Sequence, residues 1–375
     1  MRIAHLADTH LGYQAFSRVD RQGRNVMEEM VYQGFRMAVD KILELNPDLV
    51  IHAGDVFHHV RPRIRPLYEF KQALDRLTDA GIPVVMISGN HDAPKGYASI
   101  SPFYIYEGQP EVYIAHEYRY KFFDLDEFRI HCIPFCLTAD QYPRELDRLE
   151  RTGSDLLVMH GLVESLRAKR LRTVGEHEIG DCLLKSDLDY IALGHYHNQV
   201  QIAGNAWYSG SLDYLNFGEA NDRKGFLLVD LGRMSVERIE VRPGYMVDCQ
   251  PISCSGLSSA EVMEEIEGLA GEIDGKIIRI TLRDISRPVF RGLNQSRLNR
   301  IAASAVYMKV RPEFPDQPAP AREGVDMLGL EEEFERFLQG EQVRTGLFEE
   351  VRSYGRGLLK EAEEARRTEG INAPL

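Results

Sequence analysis

Leu49-Val50-Ile51-His52-Ala53-Gly54-Asp55-Val56-Phe57-His58 joins a short apolar run to a group of polar donors, and this construction decides how the chain is read. Leu49–Ala53 has the length and the branched side chains of a buried strand, and the glycine that follows lets the backbone turn sharply at its end. The construction recurs on both sides. Arg2–Ala7 leads into Asp8-Thr9-His10, Val84–Ser88 into Gly89-Asn90-His91-Asp92, Leu156–Met159 into His160-Gly161, and Tyr190–Leu193 into Gly194-His195-Tyr196-His197. Open α/β sheets gather the side chains at the carboxyl ends of their strands into one crevice, so these motifs imply a single pocket rich in nitrogen and oxygen donors.

Between the strands the period changes. Val31, Phe35, Ala38, Ile42 and Leu45, and again Leu67, Phe70, Leu74 and Leu77, recur at helical spacing, which with the strands implies a layered α/β domain. Beyond His197 come short strand signals at Ala206–Ser209, Gly225–Asp230 and Val236–Val241, suited to antiparallel sheet edges. A small α/β region follows from about Arg242 to Val310, with a helix near Ser259–Leu269 and a strand at Lys276–Leu282. Pro312, Pro315, Pro318 and Pro320 then stiffen an extended linker. The remainder is charged and helical, with apolar stripes at Leu330/Phe334/Phe337/Leu338 and Leu347/Phe348/Val351/Tyr354/Leu358/Leu359. Such stripes pack either on the parent domain or on a partner helix. The expected organisation is a catalytic domain over 1–241, a capping domain over 242–310, a linker over 311–328 and a helical tail over 329–375.

The chain has 375 residues, 43% of them hydrophobic, enough for at least one sizeable core. Arg2 leads straight into a strand, no signal pattern follows Met1, and no apolar run reaches the ~18–20 residues that cross a bilayer, so a cytoplasmic protein is expected. Cys132, Cys136, Cys182, Cys249 and Cys254 form no CxxC pair and read as buried, inert thiols. A net charge of -13 argues against coating nucleic acid by bulk electrostatics, but leaves room for a local basic groove or a metal centre.

Carboxylate, imidazole and amide oxygen together suit divalent manganese, iron or zinc better than magnesium or calcium. If two ions sit ~3.5–4 Å apart, one carboxylate bridges them, and Asp55 is the natural bridge beside Gly54. Any one of these motifs is common by chance; all of them in order, each at a strand end, are not. His5, His52, His59, His116, His131 and His177 stand outside the motifs and read as ordinary packing or surface residues.

The ordered motifs resemble those of the calcineurin-like metallophosphoesterases. Gly-Asp-x-x-His at 54–58, Ala7-Asp8-Thr9-His10-Leu11-Gly12, and Ser209-Gly210-Ser211 leading to Phe217-Gly218-Glu219 resemble, within that superfamily, the meiotic-recombination-eleven/SbcD family of double-strand-break repair nucleases. The resemblance is strong over residues 1 to about 235. It implies a layered metallophosphoesterase sandwich with a small α/β capping domain and a helical C-terminal tail. It also implies two Mn²⁺ per chain, one held by Asp8, His10, Asp55 and His197, the other by Asp55, Asn90, His160 and His195. His91 matches the catalytic histidine that supports the leaving oxygen. His58 stands where related phosphatases place the aspartate that orients that histidine, and is expected beside the scissile phosphate.

The implied activity is a manganese-dependent DNA nuclease, a 3′ to 5′ exonuclease and single-strand endonuclease working on DNA ends without sequence preference. The implied partners are DNA, an SMC-like coiled-coil ATPase bound by the C-terminal helices, and a second copy in a homodimer, with Leu67, Phe103, Ile100 and Tyr104 at the dimer face. Tyr13, Arg18, Arg21, Arg24, Arg61, Arg63, Arg65 and Lys95 lie on loops beside the pocket, either as phosphate contacts or as solvated loop charge. Two rival readings remain: a phosphodiesterase or phosphatase acting on small nucleotides or phosphoproteins, and a non-enzymatic scaffold. The second predicts degraded ligand positions, and none is degraded.

Overall fold

The strands that carry the motifs are divided between two stacked sheets. In the computed structural model, which describes residues 1–95, 100–167, 178–180, 184, 187–242, 244–315, 334, 338 and 348–368, the elements up to residue 240 are β1 (Arg2–Leu6), α1 (Val26–Leu45), β2 (Leu49–His52), α2 (Ile64–Asp79), β3 (Val84–Ile87), β4 (Val112–Ala115), β5 (Lys121–Leu125), β6 (Phe128–Ile133), β7 (Asp155–His160), β8 (Leu162–Val163), β9 (Glu178–Ile179), β10 (Tyr190–Gly194), β11 (Val200–Ala203), β12 (Ala206–Tyr208), β13 (Gly225–Asp230) and β14 (Ser235–Glu240). One 6-stranded sheet has the order β14-β13-β1-β2-β3-β4 and the other β11-β12-β10-β7-β6-β5. The central strands β1 to β4 run parallel, as do β6, β7, β10 and β12, while β13, β14, β5 and β11 pair antiparallel at the margins. The antiparallel margins match the change of pattern after His197.

Alternation along each strand explains the layers. Ile3, Leu49, Ile51, Val85 and Ile87 meet Ile130, Cys132, Leu156, Val158 and Ala192 between the sheets. Their neighbours Ala4, Leu6, Val50, Val84 and Met86 face outward to Val31, Phe35, Ile42, Phe70 and Leu74 of the two long helices. On the far side Leu157, Met159, Ile191 and Leu193 pack with Tyr142, Leu146 and Leu162. Strands buried on both faces become continuous apolar runs. Asn25 caps α1 by accepting the Glu28 amide at 3.1 Å, and Asn46 ends it with φ 45°.

The chain divides into two compact units, Met1–Pro312 and Glu313–Leu375. The first also contains β15 (Met246–Asp248), β16 (Ile252–Ser253), β17 (Ile277–Arg283) and β18 (Tyr307–Pro312), with β17 parallel to each of the other three. Helices Ser259–Gly268 and Gln295–Ser304 accompany this sheet. Pro312, expected in the linker, ends the edge strand β18, where a missing N–H costs no ladder bond.

In the second unit, helix Phe348–Thr368 exposes Val351, Tyr354 and Leu358, and a Cβ on Gly355 would collide with the Phe334 ring. Pro318, Pro320, Leu330, Phe337, Leu347, His177 and Cys182 lie outside the described residues, as does the side chain of Leu359. Cys132, Cys136, Cys249 and Cys254 are buried. Phe103, expected at a dimer face, is fully buried against Phe57 and the core, and Leu67 is partly buried, because the 3₁₀ turn Pro102–Ile105 rolls that ring inward. The exposed apolar side chains of this region are Ile64, Tyr68, Ile100, Tyr104 and Ile105. No described helix is long and apolar enough to cross a membrane.

Candidate metal centre

All five motifs meet at one end of the two sheets. Asp8 and His10 follow β1, Asp55 and His58 follow β2, and Asn90 and His91 follow β3; His160 ends β7, while His195 and His197 follow β10. Metal-binding atoms of Asp8, His10 and His197 lie within 4.8 Å of one another, and so do those of Asp55, His160 and His195. Asp55 Oδ2 stands 3.8 Å from His10 Nε2 and 3.4 Å from His160 Nε2, between the two groups. Asn90 Oδ1 lies 2.9 Å from both His160 Nε2 and His195 Nδ1.

Close approach is bought with backbone strain. Asp8, His10, Asp55 and His195 have φ of 53°, 45°, 56° and 104°, a region that side chains with a Cβ rarely adopt and that clusters at functional sites. Gly54, at φ 95°, would drive a Cβ into the His160 imidazole, and a Cβ on Gly89 would strike the Asp55 carboxylate. These two glycines let the loops meet.

Donor chemistry favours cations. His160 Nδ1 lies 2.8 Å from the Ala53 carbonyl and donates to it, which leaves Nε2 as the pocket-facing lone pair. His197 Nδ1 donates to Glu219 Oε1 at 3.0 Å in the same way. That brings His197 Nε2 within 3.2 Å of His10 Nε2, and two lone pairs at that distance repel unless a cation or proton lies between them. Burial works against charge on His160, but the Asp55 carboxylate outweighs it and raises its pKa to about 9, so with no ion bound Nε2 carries a proton that a metal would displace to take the lone pair. Burial also raises Asp55, yet His160 and His10 overcome this and hold it well below the usual carboxylate range. Burial of His10, despite Asp55 beside it, keeps it neutral and able to bind an ion.

His91 sits at the edge of this array. Its backbone N–H donates to Asp55 Oδ1 at 2.8 Å, and its Nδ1 to the His58 carbonyl at 3.1 Å. The His58 ring stacks on it at 5.0 Å with a 22° tilt, and burial with the neighbouring His91 and His59 lowers the His58 pKa to about 4. The orienting contact on His91 is therefore the main chain of His58. His58 Nδ1 is also 3.3 Å from His10 Nδ1.

Two further residues, Asp92 and Glu219, support the ligands from within the motifs. Asp92, fully buried, accepts the amides of Val56 at 2.6 Å, Phe57 at 3.2 Å and Gly89 at 2.6 Å, and so staples the Asp55 loop to the Asn90 loop. Burial and the Asp55 charge push its pKa well up. Glu219 backs His197. The only sequence signal for either was its place beside a ligand motif.

The basic loop residues separate into two kinds. Arg65 is gripped by both Glu29 oxygens with its guanidinium 4.6 Å from the Tyr32 ring, Arg24 pairs with Asp20, Arg18 donates to the Ala305 and Val306 carbonyls, and Tyr13 donates to the Leu215 carbonyl. Arg21, Arg61, Arg63 and Lys95 are exposed. Arg61 and Arg63 line a cavity of about 110 Å³ with Gln14, Glu28 and His59. Of the described histidines outside the motifs, His5 bonds Tyr190, His52 bonds Thr9, His131 bonds Asp155 and Tyr120, His116 bonds Glu107, and His59 is exposed.

Residues 1–222 match the family described as calcineurin-like phosphoesterase. Several curated archaeal proteins named "DNA double-strand break repair protein Mre11" are similar over much of their length. That of Methanococcus maripaludis is 27% identical over 334 residues, covering 83% of this chain and 83% of its own. That of Thermoplasma acidophilum is 29% identical over 310 residues, covering 76% and 80%. That of Methanopyrus kandleri is 25% identical over 364 residues, covering 88% and 74%.

Proposed function

Because the chain belongs to the calcineurin-like phosphoesterase family, we propose that it is a manganese-dependent DNA nuclease that processes ends in double-strand-break repair, as a 3′ to 5′ exonuclease and single-strand endonuclease. The similarity to archaeal proteins named for double-strand break repair supports the substrate. The observation that carries the chemistry is the convergence of the Asp8/His10/His197 and Asp55/His160/His195 groups on either side of one carboxylate. Asp8, His10, Asp55 and His197 would hold one ion, and Asp55, Asn90, His160 and His195 the other. Two divalent ions held by these residues would supply Lewis-acid chemistry, polarising the phosphodiester and lowering the pKa of an attacking water. His91, its Nδ1 spent on the His58 carbonyl, presents Nε2 to the departing ribose oxygen. His58, neutral near pH 7, faces the phosphate beside it.

Arg21, Arg61, Arg63 and Lys95 carry phosphate contacts outside the metal centre, without reading base identity. Arg18, Arg24, Arg65 and Tyr13 already spend donors within the chain and brace the loops instead. Ile64, Tyr68, Ile100, Tyr104 and Ile105 form the homodimer face. Val351, Tyr354 and Leu358 dock on the coiled coil of an SMC-like ATPase. The protein acts in the cytoplasm, on nucleoid DNA.

Metal-stripped protein supplied with Mn²⁺ and given end-labelled linear DNA alongside a cyclic nucleotide and a phosphomonoester separates this reading from its rival. Degradation of the DNA in preference to the small esters is expected. Turnover confined to the small esters would favour the small-nucleotide phosphodiesterase or phosphatase.

A further inference from the structure

Lys224 is 2% exposed, in the wall behind the histidines, and the chemistry above leaves it without a task. Its ammonium donates to Glu219 Oε2 at 2.8 Å, Ser211 Oγ at 2.9 Å and the His197 carbonyl at 3.0 Å, which matches its N–H groups one for one. Glu219, 7% exposed, is equally committed: Oε1 accepts from His197 Nδ1 at 3.0 Å and Asn216 Nδ2 at 2.6 Å, Oε2 from Lys224 and from the Leu215 amide at 3.1 Å. Ser211 passes its own proton to the Asp213 carbonyl at 2.9 Å, so its lone pair is free for the ammonium.

A buried ion pair of this kind is a poor source of stability, since apolar residues of similar volume serve as well or better. Its geometry, by contrast, converges on one histidine from two directions. Through Glu219 it reaches the ring, and through the carbonyl it reaches the backbone. His160, in the other group, has no such backing; its Nδ1 rests on the neutral Ala53 carbonyl. We propose that Lys224 is a positioning residue that, with Glu219, fixes the ring and main chain of His197 and thereby sets the occupancy of one metal position only, the one shared by Asp8, His10 and His197.

This inference rests on the two-ion reading of the centre, and the experiment keeps the two apart. Full-length protein is stripped with chelator and titrated with Mn²⁺, following affinity by calorimetry and the spin-coupled pair by electron paramagnetic resonance. The comparison is between wild type, Lys224→Met and the charge-neutral double variant Lys224→Met/Glu219→Gln, each with its melting temperature. Loss of a histidine's outer partner weakens metal binding by roughly 10–100-fold. The double variant removes the ammonium and its main carboxylate together and leaves Asp222, 3.5 Å from the Lys224 ammonium, to Asn198 and solvent; it should melt near wild type, keep one ion at wild-type affinity, bind the second at least about tenfold more weakly and lose the coupled signal. Two ions bound at wild-type affinity by the double variant would overturn the positioning role, and so would equal weakening of both positions. A wild type that binds fewer than two ions would instead bring down the two-ion reading itself.

Discussion

His91 is anchored through its backbone to Asp55 and through Nδ1 to the His58 carbonyl; it shares a third close group with His10 and His58, but belongs to neither the Asp8/His10/His197 nor the Asp55/His160/His195 group around the Asp55 carboxylate. His91→Ala should therefore retain two metal equivalents by elemental analysis while hydrolysis falls by about 10²–10⁴-fold, the usual worth of a positioned acid; a missing equivalent would make it a ligand. A different residue governs stability. Asp213 is buried beneath Tyr245, which donates to Oδ1 together with the Tyr214 amide at 3.0 Å, and Oδ2 has no partner among the described residues. Burial raises its pKa from 3.8 to about 6, against the pull of Arg242, Tyr245 and Lys224. A carboxyl raised on folding favours the folded state while protonated, so its contribution is full below pH 3.8 and disappears as pH rises through about 6. His5 and His52, lowered to about 3 by burial, act with the opposite sign across the whole of that window. The difference between wild type and Asp213→Asn isolates the effect: across pH 4 to 7 the wild type should lose about 2 kcal/mol relative to the variant in denaturant melts. Parallel pH profiles would show Asp213 ionised in the fold. The residues that would touch ions or substrate were legible in the sequence because their chemistry is unusual at strand ends. Asp92, Glu219 and Lys224 were not, because an Asp, Glu or Lys gains its meaning from which loop it happens to reach.

At the scale of elements, the loop entering α2 carries arginines in two different settings. Arg61 and Arg63 are exposed, whereas Arg65 is clamped by Glu29 against Tyr32. Arg61→Glu with Arg63→Glu should weaken DNA binding and reduce the slope of log K on log salt by roughly 0.9 per lost contact, leaving small diesters hydrolysed as before. Arg65→Glu should act on the melting temperature instead, by up to about 1 kcal/mol for a partly exposed pair. A variant of Arg65 that melts as wild type but loses salt sensitivity would reverse the assignment. The same contrast marks what the pattern of residues reveals about the fold. Strand positions came through clearly, with Gly225–Asp230 realised to the residue as β13. Membership of one sheet or the other did not, because strands covered on both faces look alike whichever neighbour covers them. The hairpin β5–β6 also escaped notice, since β5 is largely exposed and its alternation is weak.

For the whole molecule, the division at Pro312 into two compact units predicts that the first folds alone. Truncation after Pro312 should preserve the melting temperature and Mn²⁺-dependent cleavage while abolishing co-purification with the ATPase, because Val351, Tyr354 and Leu358 leave with the tail. A large fall in melting temperature would mean that the tail packs on the catalytic unit. The most direct test of the central claim, that two ions gathered around Asp55 cleave DNA, is a stepwise Mn²⁺ titration of the metal-stripped, full-length protein with release of label from linear DNA followed at each step. Cleavage should stay near background through the first equivalent and rise with the second, and Asp55→Ala should bind less metal and show no rise. Cleavage that saturates at one equivalent, or that persists in the stripped protein under chelator, would contradict it.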